Sequence, residues 1–285
     1  MRHVSKLSSR IYFSKYPCEE VFAELPEIDL IVDLTTESEG LPEYETDIEI
    51  LKVPITDRRT LPDNEAIDLV RNIASKGKVL IHCRGGGGRS GVIAGLLLGY
   101  LKNLPADVVF GRLSQAFEKR EIKSEKLIKL GCPQTKAQKQ QLSRLLKPFD
   151  FYGTTFGPWS NFSPHKVFSS RFELEFYTSE ALFQAYKDDE IVEKLSQCKD
   201  PKKAKAIGRK CSLRPDWEEI KIECMLETLR DKVSSNPFIV EELKKTGIRP
   251  MYERTDNDLQ WGSGLDRSGQ NLLGKCWAKI RFENL

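Results

Sequence analysis

One stretch constrains this chain more than any other: Lys78-Val79-Leu80-Ile81-His82-Cys83, then Arg84-Gly85-Gly86-Gly87-Gly88-Arg89-Ser90-Gly91. The apolar run before Cys83 reads as a buried strand. Val92 to Leu101 reads as a buried helix. A cysteine therefore ends a strand, a glycine-rich turn follows, and a helix begins at about the next arginine. Glycine lets backbone N–H groups turn inward, and a helix N-terminus adds partial positive charge. The result is a cradle for a tetrahedral oxyanion with sulfur at its floor.

Each residue type suits that chemistry. Helix N-termini and nearby cations lower a thiol from its usual pKa of ~8.5, which favours the nucleophilic thiolate. Arg89 lies at the far side of the turn, where its planar fork can hold two phosphoryl oxygens. Ser90 can donate to the sulfur when it must leave. Arg84 and Gly85, Gly86, Gly87 and Gly88 supply the rest of the phosphate cradle. Four glycines between two arginines make a poor hydrophobic core.

His-Cys, five residues, then Arg-Ser-Gly resembles the signature of cysteine-dependent protein tyrosine and dual-specificity phosphatases. The resemblance implies a phosphocysteine intermediate on Cys83, with Arg89 binding phosphate. Such a reaction needs a proton for the departing oxygen, from an acid outside the cradle. Pro54-Ile55-Thr56-Asp57 looks like the acid-bearing segment of small dual-specificity phosphatases. Asp63, after Pro62, is the competing candidate. Asp33 reads as a strand-end structural carboxylate. The Pro133-Gln134-Thr135 pattern followed by Gln138 resembles the last helix of the same family. Arg58 and Arg59 read either as solvated side chains or, with Arg84, as positive charge around the mouth that would favour a substrate with more than one phosphate.

The pattern around this centre alternates strands and helices. Leu30–Thr35 and Ile48–Val53 read as strands, and Asn64–Ser75 carries apolar residues at helical spacing. This predicts an α/β domain over residues 1–148 with a central, mainly parallel sheet. The longest apolar run, Val92–Leu98, is too short to cross a bilayer. Seven cysteines without CxxC pairs and only three histidines argue against a zinc site or a disulfide framework. Neither metal nor cofactor is expected. The absence of a secretory signal and the free thiols fit a cytoplasmic protein. A net charge of +3 is too small to argue for nucleic acid by itself.

From Phe149 the composition becomes aromatic. Thr178-Ser179-Glu180 then starts a helix that places Glu180, Phe183, Gln184 and Lys187 on one face. A carboxylate, an amide, an ammonium and a ring on one face make a reasonable pocket wall. Farther on, Pro201–Arg209 and Trp217–Ser234 read as helices. A glycine-rich loop, Asp258 to Gly274, runs into the last one.

Five stretches here resemble the NADAR (YbiA-like) family: Trp159-Ser160-Asn161-Phe162-Ser163-Pro164, Thr178 to Lys187, Arg214-Pro215-Asp216-Trp217, Thr246-Gly247, and the Trp261-Gly262 loop with Asn271 and Gly274. Their order and spacing cover nearly all of residues 149–285, implying a mostly helical (α+β) N-glycosidase domain. The family acts on ADP-ribose-related or ribosyl-amine substrates, some members on ADP-ribosylated guanine in nucleic acid. Ser179-Glu180-Ala181 departs from it, since many members carry histidine after the glutamate. N-glycosidic cleavage builds positive charge at the anomeric carbon, so Glu180 and Asp258 are the candidate carboxylates. Lys187 is a candidate phosphate ligand or amine nucleophile. Trp159, Asn161, Phe162, Gln184, Trp261, Gly262 and Asn271 are expected to contact substrate. The chain is thus expected to be a bifunctional hydrolase of phosphomonoesters and N-linked ADP-ribose. The alternative is a phosphatase recruited by a non-catalytic ADP-ribose-binding module.

Overall fold

The computed structural model describes residues 2–152 and 154–285. The chain divides into two compact units. One runs to Lys147 and takes in Gly247–Pro250; the other comprises Pro148–Thr246 and Met251–Leu285. The short return to the first unit, which no pattern in the sequence marks, follows from burial. Ile248 is wholly enclosed in that unit's apolar core, and Arg71 Nη2 donates to the Gly247 carbonyl at 3.3 Å.

The first unit is built on strands β1 (Val4–Lys6), β2 (Ile11–Ser14), β3 (Leu30–Asp33), β4 (Glu49–Lys52) and β5 (Val79–His82), in the order β1-β2-β5-β3-β4. Only β1 is antiparallel to its neighbour; β2, β5, β3 and β4 run parallel. Helices α1 (Glu19–Glu24), α2 (Asp63–Ala74), α3 (Arg89–Lys102), α4 (Ala106–Glu118), α5 (Glu125–Leu130) and α6 (Lys136–Leu145) complete it. Both faces of the inner strands are covered, so these strands are apolar without interruption. Ile11, Phe13, Leu30, Val32 and Ile81 pack with residues of α2, α3, α4 and α6. The alternate side chains Tyr12, Ile31 and Leu80 pack with Val21 of α1. Parallel registry brings Ser14, Asp33 and His82 level at one sheet edge. Cys83 and the loops after β3 and β4 all leave from that edge, where ligands of open parallel sheets bind.

The second unit pairs β6 (Phe149–Phe151) in parallel with β9 (Met251–Glu253), and β7 (Val167–Ser169) antiparallel with β8 (Leu174–Phe176). The rest is helical: α7 (Ser179–Ala185), α8 (Val192–Ser196), α9 (Pro201–Gly208), α10 (Trp217–Ser235), α11 (Phe238–Lys245) and α12 (Leu272–Asn284). Trp277 of α12 anchors its core. The indole donates to the Trp159 carbonyl at 2.7 Å and meets the Trp159 ring edge-to-face. Lys232 of α10 is wholly buried, and its ammonium donates to the carbonyls of Pro158 and Ser160 and to Ser163 Oγ. One buried cation thereby fixes the Trp159–Ser163 segment, with three acceptors replacing the water it has lost. Burial still pushes the Lys232 ammonium down to about 7.

Candidate active sites

Cys83 lies at the end of β5, almost wholly buried. Its sulfur accepts from the Gly86 N–H at 3.3 Å and lies 3.4 Å from Ser90 Oγ. Gly86 has φ +70°, and a Cβ there would lie 2.2 Å from backbone atoms of Ser14 and Lys15. Both the left-handed turn and the close passage past β2 therefore require glycine. The loop ends at Gly88, the N-cap of α3, so the helix dipole points at the sulfur.

Arg89 is 2% exposed. One guanidinium nitrogen, Nη1, donates to the carbonyls of Leu34 (3.2 Å) and Ile55 (2.7 Å) and to the Glu39 carboxylate. Burial opposes the charge. The hydrogen bond to Glu39, with the charges of Cys83 and Asp57, outweighs it, and the guanidinium is held more firmly protonated than usual. The Nε–Nη2 edge makes no hydrogen bond, and Asp57 Oδ1 lies 3.2 Å from Nη2. Glu39, on a short 3-10 turn after β3, had no signal in the sequence, yet it fixes the arginine.

Asp57 itself is well exposed, in the loop after β4. The α6 N-terminus holds this loop: Thr135 Oγ1 donates to the Arg58 carbonyl and Gln138 Nε2 to that of Arg59. Gln138 also completes a capping box with Thr135. Asp63 is engaged elsewhere. It accepts from Arg144 Nε (2.6 Å) and Nη2 (2.7 Å) and from Gln141, and the Arg144 hydrogen bond, the largest influence, lowers its pKa. Asp33 accepts from Thr35 and faces His82, whose imidazole burial pushes down to about 4.

In the second unit a cavity of about 530 Å³ is lined by side chains of α7, α9, α10 and the loop after β9. That size suits a nucleotide-like ligand. Glu180 is buried in its wall, and its Oε1 accepts from Gln184 Nε2 at 2.8 Å. Burial raises the Glu180 carboxyl, while Lys205, the Gln184 hydrogen bond and Lys187 pull it back. Helix α7 ends at Ala185, short of the expected Lys187, but the cavity wall still includes Glu180, Phe183, Gln184 and Lys187. Lys187 Nζ donates to the Gly208 carbonyl at 3.4 Å and lies over the Trp217 ring. Burial lowers its pKa.

Of the other sequence candidates, Asn161, Phe162, Asp258 and Trp261 line the cavity. The Asn161 carbonyl accepts from the Glu180 N–H at 2.9 Å, and its side-chain Oδ1 is buried without a hydrogen bond. Asp258 Oδ1 accepts from the N–H groups of Gln260 and Trp261. The structure does not bring Trp159, Gly262 or Asn271 to the wall. Trp159 is enclosed with Trp277 because an indole this apolar gains more from the core. Gly262 lets its loop fold onto itself; a Cβ would lie 2.4 Å from Thr255. Asn271 pins β9, accepting from the Glu253 N–H and donating to the Met251 carbonyl.

The strand that Asn271 pins presents a carboxylate the sequence reading did not select. Glu253 lines the cavity. Burial pushes its carboxyl up to about 7, with Asp258 and Glu180 adding repulsion. Among the described residues no donor reaches that carboxylate. Its only sequence signal was an acidic residue at the end of a three-residue strand. Among the described residues no cluster of side chains could hold a metal ion, and no helix is long and apolar enough to cross a membrane.

Comparison with known proteins divides the chain between residues 142 and 150. Residues 12–142 match the family described as Swiss Army Knife protein, DSP-PTPase phosphatase domain; residues 150–283 match the NADAR domain. The chain is 32% identical over 154 residues to the maize chloroplastic riboflavin biosynthesis protein PYRR, covering 47% of this chain but 25% of that protein. It is 34% identical over 134 residues to an N-glycosidase of Nostoc punctiforme, covering 45% of this chain and 85% of the relative. Over 140 residues it is 34% identical to the N-glycosidase YbiA of Escherichia coli, covering 46% and 85%. Among solved structures, E. coli YbiA aligns at 30% identity and TM-score 0.44, covering 48% of this chain and 83% of that one. Tk-PTP in its active form aligns at 28% and 0.39, covering 50% and 95%.

Proposed function

Because the chain belongs to the NADAR family through its second half and carries a DSP-PTPase phosphatase domain in its first, we propose that it hydrolyses two kinds of bond: phosphomonoesters at Cys83 and ribosyl N-glycosidic bonds at Glu180. The observation that carries the first activity is the join of Cys83 Sγ to the Gly86 N–H, beside an Arg89 whose Nε–Nη2 edge makes no hydrogen bond. In this reading that edge forks two phosphoryl oxygens while the loop N–H groups take the third. The thiolate attacks phosphorus, the ester P–O bond breaks, and the departing oxygen takes a proton from Asp57. Ser90 then donates to the sulfur as water releases phosphate. Asp57 is preferred over Asp63 because it adjoins Arg89, whereas Asp63 is committed to Arg144.

Asp57→Asn is therefore expected to slow turnover of alkyl phosphates by roughly two to four powers of ten, the usual range for general acid catalysis. It should matter far less for an aryl phosphate whose leaving group needs no proton. A leaving-group dependence seen in Asp63→Asn instead would reassign the acid.

The second activity rests on a buried carboxylate in a cavity of nucleotide size. As the C–N bond breaks, its electron pair leaves with the nitrogen and positive charge grows on the anomeric carbon. Glu180, tethered by Gln184, stabilises that charge and orients water. Glu253, whose carboxyl lies near neutrality, supplies the proton to the departing nitrogen. Lys187, its ammonium destabilised by burial, is placed to hold phosphate or to attack the opened sugar. Phe162 and Trp261 offer stacking faces for a base. The fitting substrate is an N-linked ADP-ribose, on a free amine or a nucleic-acid base, or a ribosyl amine.

For the phosphatase, Arg58, Arg59 and Arg84 favour a substrate with more than one phosphate, so a phosphorylated ADP-ribose or related nucleotide sugar is preferred over a phosphopeptide. Steady-state kcat/KM for ADP-ribose phosphate against phosphotyrosyl and phosphothreonyl peptides tests this. ADP-ribose phosphate is expected to win; a preference for peptides would leave two unrelated activities on one chain.

A further inference from the structure

Arg120, just after α4, is a buried charge without a polar partner. Its side chain is 1% exposed, and Nε, Nη1 and Nη2 are all buried without a hydrogen bond. Among the described residues no carboxylate pairs with it. Its Cζ lies 4.7 Å from the Phe117 ring centroid, and a second cation, Lys123 Nζ, lies 5.4 Å from the same point. That ring also backs the phosphate cradle: a Cβ on Gly87 would lie 3.3 Å from Phe117 Cε2. Burying an unpaired charge costs more than one cation–π contact returns. Burial pushes the guanidinium down to about 10, so it remains a cation at neutral pH. A defect of this kind is tolerated where function needs it.

Two sulfurs lie in the field of Arg120, those of Cys83 and Cys132. Cys132 adjoins the start of α3, where a Cβ on Gly91 would lie 2.4 Å from its Sγ. Burial pushes the Cys132 thiol up to about 12, so it stays neutral and cannot offset the arginine. That leaves Cys83. Resting on the phosphatase reading, we propose that Arg120 is a positioning residue for phosphoryl transfer: its unmatched charge, one ring away from the cradle, keeps Cys83 as the thiolate that attacks phosphorus. The other charged or titratable groups about Cys83 are Arg89, with Glu39 and Asp57 against it, and His82 at the end of β5. His82 is held neutral by burial. Glu39 and Asp57 draw on the charge of Arg89, and a bound phosphoryl group draws on it further. Nothing shares the charge of Arg120 in that way. Substrate cannot meet a side chain this enclosed, so Arg120 acts through the sulfur alone, across a low-dielectric interior where a charge carries far.

Alkylation of Cys83 by iodoacetamide tests this separately from catalysis, because only the thiolate reacts. The reaction is followed on the full chain from about pH 4.5 to 9 by mass spectrometry of the Cys83 peptide. Arg120→Met keeps much of the side-chain bulk and removes the charge. Its alkylation midpoint is expected about one pH unit above that of the wild type, so alkylation on the acid side should slow about tenfold. The same variant should melt at or above the wild-type temperature, since an apolar side chain replaces an unpaired buried charge. Arg120→Lys keeps the charge and should hold the midpoint close to the wild-type value. An unmoved midpoint in Arg120→Met, or an equal shift in Arg120→Lys, would overturn the proposal. So would an Arg120→Met protein that melts well below the wild type or does not fold, which would make Arg120 a packing residue. The expected shift in a protein that hydrolyses no phosphomonoester would keep the coupling and sink the phosphatase reading instead.

Discussion

Cys83→Ser is expected to reduce aryl phosphate hydrolysis to the uncatalysed level, a loss of roughly 10⁶-fold or more given what enzymes contribute, while oxyanion binding persists. A serine hydroxyl at this position stays protonated and cannot serve as a thiolate does. The Gly86 N–H, the α3 N-terminus and Arg89 are untouched by the change, so the cradle keeps its charge. Arg89→Ala should lose both hydrolysis and binding, and should also destabilise the fold. Its removal strands the buried carbonyl of Ile55, leaves that of Leu34 with the Ile55 N–H alone, and leaves Glu39 without its cation. An unmatched buried carboxylate is among the costlier defects a protein can carry. Calorimetry with an oxyanion such as tungstate, beside product release from the aryl ester, separates the two variants. Hydrolysis retained by Cys83→Ser would remove the phosphocysteine step from the mechanism.

The phosphatase centre was legible because local sequence dictates it. A strand, a run of glycines and a helix start lie within a dozen residues, and Gly86 at the turn answers a steric demand that no other residue meets. Glu39 was not legible. Its contact with Arg89 spans fifty positions, and nothing near Glu39 distinguishes it from its acidic neighbours Glu37 and Glu43. In the second unit, helical periodicity put Glu180 and Gln184 on one face, and the structure joins them by a hydrogen bond. Lys202, Lys205 and Arg209 also line the cavity at helical spacing, but a charged helical stripe is more often a solvated face, so the pattern gives no reason to look inward. Glu253 was hidden by its strand. A three-residue element has no pattern to read, and only the tertiary brace from Asn271 shows which way it is held. Trp159, which packs on Trp277, reads both ways: aromatic residues serve cores and base stacking equally well, and composition cannot separate the two uses.

The second large effect concerns Glu180. Glu180→Gln preserves volume and can still pair with Gln184, but it removes the only charge that the buried α7 wall offers a developing ribosyl cation. The rate of N-glycosidic cleavage should fall by about 10³-fold or more, as for loss of a preorganised electrostatic partner. Affinity for ADP-ribose should hold or rise, because desolvating a neutral amide costs less than desolvating a carboxylate. That split distinguishes an enzyme from a binding module: a module would show the affinity and no cleavage in the wild type either. Glu253 adds a pH signature. If its protonated form gives the departing nitrogen its proton, wild-type cleavage is sustained below about 7 and declines as pH rises through that value, where the proton is lost. Glu253→Gln should be slow throughout and should lack this limb. Phosphatase activity should remain at the wild-type level in both variants, since Cys83, Arg89 and Asp57 are unaltered. Cleavage rates measured from pH 5 to 9 on an N-ribosyl substrate check each point. A Glu180→Gln protein that cleaves at the wild-type rate would move the catalytic carboxylate elsewhere in the cavity, with Asp258 the next to test.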